Sequence, residues 1–176
     1  MPRVALLSLL LLALLAPAAG AGLGRSKDAP TAKAMKSATR SFAVFRARKA
    51  AGDRIPGASK LESRRIGTVA GAPVFAAVVV DKVQLRVGRF IASTPASKAS
   101  RNEVALLVPQ ADGSVATAVL VADGARDARR VAADGTTTAL TVRRNAILDR
   151  SPAGGAIEWT RKDGSKGSYA LKKLPF

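Results

Sequence analysis

The sequence predicts a mainly β protein, an antiparallel sheet or small β-sandwich of hairpins with one short N-terminal helix. Four Asp-Gly pairs punctuate the second half of the chain, at residues 112–113, 123–124, 134–135 and 163–164. Asp-Gly is typical of tight hairpin turns, because such turns need positive φ at their central residues. The runs between the pairs are short and partly apolar. We therefore expect about eight to ten short strands, in line with this hairpin spacing.

The short helix is predicted at residues 60–66. Ser59 is suited to the N-cap position, and Glu62 follows it at the spacing of a capping box. Gly67 is suited to end the helix. No other segment after residue 41 has a comparable helix signal.

From Thr68 onward the pattern favours strands. Residues 74–80 form a continuous apolar run typical of a buried strand, and residues 83–87 alternate between apolar and polar. Residues 93–101, rich in Ser, Thr, Pro and Lys, are predicted to form a loop. The other predicted strands are apolar or alternating runs at residues 103–108, 115–121, 128–132, 136–142, 146–148, 157–160 and 167–171.

The first 21 residues have the pattern of a secretory signal peptide. Arg3 precedes an apolar run of Leu, Ala and Val, and small residues follow that run. The run is about 13 residues long, shorter than the roughly 20 that a membrane-spanning helix needs. We therefore expect residues 1–21 to be a signal peptide for export, with cleavage after Ala18 or Ala21. Residues 22–40 are predicted to be a flexible basic leader and residues 41–176 a single β-rich domain.

The charge is strongly positive, with 29 Lys and Arg against 12 Asp and Glu. Removal of residues 1–21 takes away only Arg3 and leaves 28 cationic residues. A surface of this kind attracts polyanions such as nucleic acid, anionic lipid or acidic wall polymers. Proteins encoded by high-GC genomes are rich in Ala and Arg. Such a composition alone would give the same positive charge without any polyanion ligand.

The absence of Cys and His narrows the chemistry that the chain can perform. It excludes disulfides, thiol catalysis, the Ser-His-Asp triad and the commonest zinc ligands. No Ser-x-x-Lys motif, phosphate-binding P-loop or dinucleotide-binding glycine motif occurs either. We therefore expect no catalytic residue, no metal and no cofactor.

Carboxylates leave one alternative open, a hydrolase. Glu158 is the only acid next to a sugar-stacking aromatic, Trp159. Glycoside hydrolysis needs a second carboxylate across a cleft. The alternative therefore requires another acid to converge on Glu158. The two acids Asp123 and Asp127 do not favour a calcium site, because arginines crowd the same segment.

Basic doublets are the candidate contacts to a polyanion, and they gather near predicted strand ends. Single-strand nucleic-acid binders interleave cations with stacking aromatics, whereas the second half of this chain has few aromatics and no RNP-type aromatic pattern. Nucleic acid is therefore a disfavoured partner, an anionic cell-wall polymer is favoured, and membrane contact is expected only through an uncleaved signal segment. The candidate residues are Arg129, Arg130, Arg143, Arg144, Arg161 and Lys162.

The layout of the C-terminal half resembles a group of uncharacterised secreted proteins from high-GC Gram-positive (actinobacterial) soil bacteria. The matching segments are residues 120–125, 133–136, 140–146 and 157–159, together with the domain start at residues 42–46. The resemblance implies export and a β-rich domain. It implies no activity and transfers no catalytic residue.

Two features depart from that group. Its members often carry a cysteine pair around the middle strands, where this chain has Gln84 and no Cys, and Ala122 stands where Pro is usual. The function we expect is an exported, non-enzymatic protein, envelope-associated or extracellular, that binds an unidentified partner or polymer. The alternatives are a polyanion-binding module, which requires the doublets to share a face, and the carboxylate hydrolase.

Overall fold

Strands dominate the fold. A computed structural model describes residues 28–58, 61–99, 101 and 104–171. Helix α1 covers Ala32–Ser41, and two short 3-10 turns follow it at Ala43–Phe45 and Ala51–Asp53. The strands are β1 (Glu62–Val69), β2 (Ala72–Val79), β3 (Lys82–Val87), β4 (Phe90–Pro95), β5 (Val104–Pro109), β6 (Ser114–Leu120), β7 (Arg126–Val131), β8 (Thr137–Ala139), β9 (Val142–Arg143), β10 (Ala146–Pro152), β11 (Ala156–Thr160) and β12 (Lys166–Ala170).

The twelve strands of the described residues form three antiparallel sheets of four strands. Sheet 1 has the order β1-β2-β3-β4, sheet 2 the order β5-β6-β10-β9, and sheet 3 the order β12-β11-β7-β8. The predicted mainly β class is confirmed. The strand number exceeds the predicted eight to ten, because the run 136–142 divides into β8 and β9 and because neither β1 nor β4 was predicted as a strand.

Sheet 2 is the middle layer of three. Along β6 the side chains alternate between two hydrophobic clusters, as successive residues of a strand do. Ala118 and Leu120 lie in the first core, against sheet 1, whereas Val119 lies in the second core, against sheet 3. Because both faces of β6 are covered, residues 115–120 are buried without interruption.

The first core consists mostly of small and β-branched residues from facing strands. Val74, Ala76 and Val78 of β2 pack with Leu106 and Val108 of β5 in one cluster. The segment after α1 adds the aromatic rings of Phe42 and Phe45, whose centroids lie 6.2 Å apart in an edge-to-face pair. The second core is smaller and contains Trp159. Its buried members are Val119, Val121, Ala128, Ile147, Ile157, Trp159 and Leu171.

Three predictions about the first hundred residues are wrong. The helix predicted at residues 60–66 is the start of β1, since the described part of that run is extended from Glu62 onward. Residues 32–40 are not part of a flexible leader, because they form α1. The predicted loop at 93–101 begins as the end of β4. Ser59, Lys60, residues 1–27 and the chain end after residue 171 lie outside the described residues.

Candidate functional site

Helix α1 turns one small-residue face inward. The hydroxyl oxygen of Thr31 accepts a hydrogen bond from the N–H of Ala34 at 3.1 Å, which caps the helix N-terminus. Ala34 and Ala38 are buried in the first core, and they share a face because they are four residues apart. Burial of this face leaves the three basic side chains of the helix exposed: Lys33, Lys36 and Arg40.

Two hydrogen bonds fix α1 to two turns of the sheets, and a third joins these turns to each other. The N–H of Thr31 donates to the carbonyl of Val80 in the β2–β3 turn at 2.8 Å. The hydroxyl of Ser37 donates to the carbonyl of Ala96, after β4, at 2.7 Å. The N–H of Ala96 donates in turn to the carbonyl of Asp81 at 2.8 Å. Helix and turns are therefore held in one arrangement.

A cavity of about 430 Å³ lies between the helix and these turns, and we call it the basic groove. The exposed cations of α1 form one wall, and Asp81 with the segment Pro95–Ser97 forms the other. Ala34 and Ala96 are buried and lie at the bottom. The lining residues that the structure describes include no aromatic side chain: Thr31, Lys33, Ala34, Lys36, Ser37, Arg40, Asp81, Pro95, Ala96 and Ser97.

The cations of the basic groove have no acidic partner among the described residues. Eight ion pairs occur in that part of the chain, and they involve seven acids, none of which lines the groove. Lys82 and Lys98 are exposed and each adjoins a lining residue in sequence. The groove is therefore a region of concentrated positive charge.

The predicted site residues Arg129 and Arg130 point to opposite sides of β7 and each meets an acid. Arg129 donates from Nε and Nη2 to Oε2 of Glu158 at 3.0 and 2.8 Å. Arg130 lies 3.8 Å from Oδ2 of Asp149 and donates to the hydroxyl of Thr138 at 3.2 Å.

The predicted residues Arg143 and Arg144 lie at the β9–β10 hairpin. Arg144 and Asn145 form its turn with φ of 51° and 61°, the left-handed region that such turns require. Nη2 of Arg144 lies 3.6 Å from Oδ1 of the buried Asp53. Arg143 is exposed.

Arg161 and Lys162 line one small cavity of about 150 Å³ together with Asp123 and Trp159. Nη1 of Arg161 donates to the carbonyl of Lys166 at 2.5 Å, within the same hairpin. The structure thus brings these two predicted residues together.

The other predicted residues line different cavities or none. Arg144 lines a cavity of about 370 Å³, and Arg129 lines a third of about 290 Å³. None of the six predicted contacts lines the basic groove. The signal that could have revealed the groove is the spacing of Lys33, Lys36 and Arg40, which places three cations along one side of a helix.

The cavity of about 290 Å³ also contains the two acids that the hydrolase alternative would need. Glu158 and Asp127 both line it, with Arg129 and Lys166 nearby. Each acid already has an arginine partner: Glu158 pairs with Arg129 at 2.8 Å, and Asp127 with Arg126 at 3.6 Å. A second acid therefore lines the same cavity as Glu158, and an arginine pairs with each of the two carboxylates.

The cavity beside Arg144 is bordered by a closed hydrogen-bond network. Oδ1 of Asp123 accepts from the N–H of Ala43 at 2.6 Å and from Nδ2 of Asn145 at 2.9 Å. Oδ2 accepts from Arg46 at 2.7 Å. Burial raises the pKa of Asp123, but these hydrogen bonds outweigh burial and hold the pKa below its ordinary value. The network joins the segment after α1 to the β9–β10 turn.

The chain matches no protein-family model, no curated protein and no solved structure. Among the residues that the structure describes, no helix has the length and apolar character needed to cross a membrane. Within the same residues, no three His, Cys, Asp or Glu side chains come together in a way that could hold a metal ion.

Proposed function

We propose that this chain is an exported, non-enzymatic protein, envelope-associated or extracellular, that binds an anionic polymer through the basic groove. The observation that carries the proposal is the row of three cations on α1, which line a cavity and have no acidic partner in the described part of the chain. Export rests on the signal-peptide pattern of residues 1–21.

A polymer suits the groove better than a single small anion. Lys33 and Arg40 are seven residues apart on α1, which corresponds to about 10 Å along the helix axis. Several anionic groups of one extended chain would fit along this distance. None of the described residues that line the groove is an aromatic on which a base could stack, so a wall polymer is favoured over single-stranded nucleic acid.

The test is to measure the affinity of the purified protein for a poly(glycerol phosphate) chain at low and at high salt. Each cation near an anionic surface contributes about 1 kcal/mol. The triple variant Lys33→Gln, Lys36→Gln, Arg40→Gln should therefore bind about a hundredfold more weakly at low salt. High salt should reduce the difference, because it screens exposed charges.

A matched control removes the same charge elsewhere. The variant Arg48→Gln, Arg54→Gln, Arg89→Gln changes three exposed cations that do not line the groove and are not among the six predicted contacts. It should lose no more than about threefold in affinity, as expected for long-range charge alone. Equal losses in the two variants would show that net charge and not the groove binds the polymer. Circular dichroism of both variants checks that the fold is kept.

A further inference from the structure

The two walls of the basic groove carry opposite charges. Lys33, Lys36 and Arg40 line the α1 wall, whereas the exposed acid Asp81 lines the facing wall. Asp81 is exposed and takes part in none of the ion pairs found among the described residues. The acid and the cations therefore face a shared space without neutralising one another.

The backbone fixes the position of Asp81. The carbonyl of Asp81 accepts a hydrogen bond from Ala96 at 2.8 Å, and the carbonyl of the preceding Val80 accepts one from Thr31 at 2.8 Å. Val80 has φ of 53°, which is unusual for a β-branched residue. The turn is thus kept in this conformation by its contacts to α1 and to the segment after β4, and Asp81 stays on the wall opposite the helix.

Asp81 distinguishes between two kinds of anionic polymer. A chain that carries only negative groups is repelled by Asp81 while it binds the helix cations. A chain that also carries amine groups can place its anions on α1 and an ammonium group on Asp81. We propose that the basic groove selects anionic polymers that bear ammonium substituents, with Asp81 as the residue that determines this specificity. The inference rests on the proposed function.

The experiment compares three probes made from one poly-glutamate stock. The first is unmodified, the second has one third of its carboxylates coupled to ethylenediamine, and the third has the same fraction coupled to ethanolamine. The second and third probes keep the same remaining carboxylates and differ only in the ammonium group. The purified protein should bind the amine-bearing probe about threefold more tightly than the hydroxyl-bearing probe, the effect of one exposed ion pair.

Asp81→Asn should abolish this threefold preference and should bind the unmodified probe about threefold more tightly than the unaltered protein does. Asp134→Asn is the matched control, because Asp134 is an exposed turn residue outside the groove. This control should keep the preference.

The outcomes separate the two proposals. Equal affinity of the unaltered protein for the amine-bearing and hydroxyl-bearing probes would overturn the inference, as would a preference that survives Asp81→Asn. If the triple variant of α1 nevertheless binds about a hundredfold more weakly in those cases, the proposed function stands. If the triple variant binds all three probes as well as the unaltered protein does, the groove is not the binding site and both proposals fail.

Discussion

The two faces of sheet 2 bury very different cores. The first core contains 22 buried residues of the described chain, mostly Ala and Val, spread over α1, sheet 1 and sheet 2. The second core contains seven, and Trp159 is the largest. A core of many small side chains distributes its stabilisation, whereas a small core around one indole concentrates it. Single substitutions should therefore have unequal effects on the two sides.

The largest effect is expected for Trp159→Ala. Removal of a buried Trp costs about 3–5 kcal/mol, because it loses the apolar burial and leaves a cavity. Hydrogen exchange should show that β7, β11 and β12 lose protection while α1 and sheet 1 keep theirs. The comparison variant is Leu85→Ala in the first core, which should instead weaken sheet 1. A uniform loss of protection in both variants would show that the two cores unfold as one unit.

Gly167→Ala should have the second largest effect. Gly167 pairs with Trp159 across β12 and β11, and a Cβ at this position would overlap the indole ring. Overpacking of this kind costs about 1–3 kcal/mol. Denaturant unfolding measures the loss. Gly52→Ala is the control, because nothing lies within 4 Å of a Cβ at that position and its change should be small.

A buried carboxylate at the edge of the first core should make stability depend on acid pH. Asp53 accepts hydrogen bonds from the N–H groups of Ala50 and Arg65 at 2.8 and 2.9 Å. Burial raises the pKa of Asp53, but these hydrogen bonds and the nearby Arg144 guanidinium outweigh burial and lower the pKa below its ordinary value. The stabilisation is therefore complete above the unfolded-state pKa of about 3.9 and is lost as the pH falls through the lower folded-state pKa.

Asp53→Asn should cost about 2 kcal/mol at neutral pH, since an amide has one acceptor oxygen for two N–H donors. The difference from the unaltered protein should shrink as the pH is lowered below 4. Asp81→Asn is the control, because Asp81 is exposed and should leave the acid transition nearly unchanged. A constant difference at every pH would show that the charge of Asp53 does not contribute.

The smallest effect, a gain in stability, is expected at Val80 in the β2–β3 turn, whose carbonyl accepts a hydrogen bond from Thr31 at the start of α1. Val80 has φ of 53° and is 39% exposed, so Val80→Gly removes backbone strain and little buried surface. Strain of this kind costs about 1–3 kcal/mol, and the greater entropy of unfolded Gly offsets about 0.5–1 kcal/mol of the relief. Thermal unfolding should show a small rise in Tm. Val80→Ala keeps a Cβ at positive φ and should change the Tm less.

Turn chemistry allowed most of sheets 2 and 3 to be predicted. The Asp-Gly pairs at 112–113, 134–135 and 163–164 lie in the β5–β6, β7–β8 and β11–β12 hairpins, as expected. The pair at 123–124 is different, because it connects β6 of sheet 2 to β7 of sheet 3. The carboxylate of Asp123 bonds to Ala43, a partner 80 residues away in the sequence that no local pattern could indicate.

Helix α1 and the basic groove could not be predicted from apolar periodicity. The buried face of α1 consists of Ala34 and Ala38, whose small side chains give a weak hydrophobic signal. Conversely, the capping-box spacing of Ser59 and Glu62 suggested a helix where β1 begins, because pairing with β2 overrides the local preference. The groove depends on the tertiary contact of α1 with two turns, so only the spacing of its cations was visible in the sequence.

Sheet 1 consists of four strands that are consecutive in the sequence. In sheet 3, by contrast, β7 pairs with β11, and β8, β9 and β10 lie between these two strands in the sequence. A hairpin between neighbouring strands closes a loop of only a few residues. Pairing of β7 with β11 closes a longer loop, which costs more chain entropy, so this pairing should form later. Residues 62–95 can therefore form their native strand pairs early. Folding is complete only when the last third of the chain adds β11 and β12 to sheet 3.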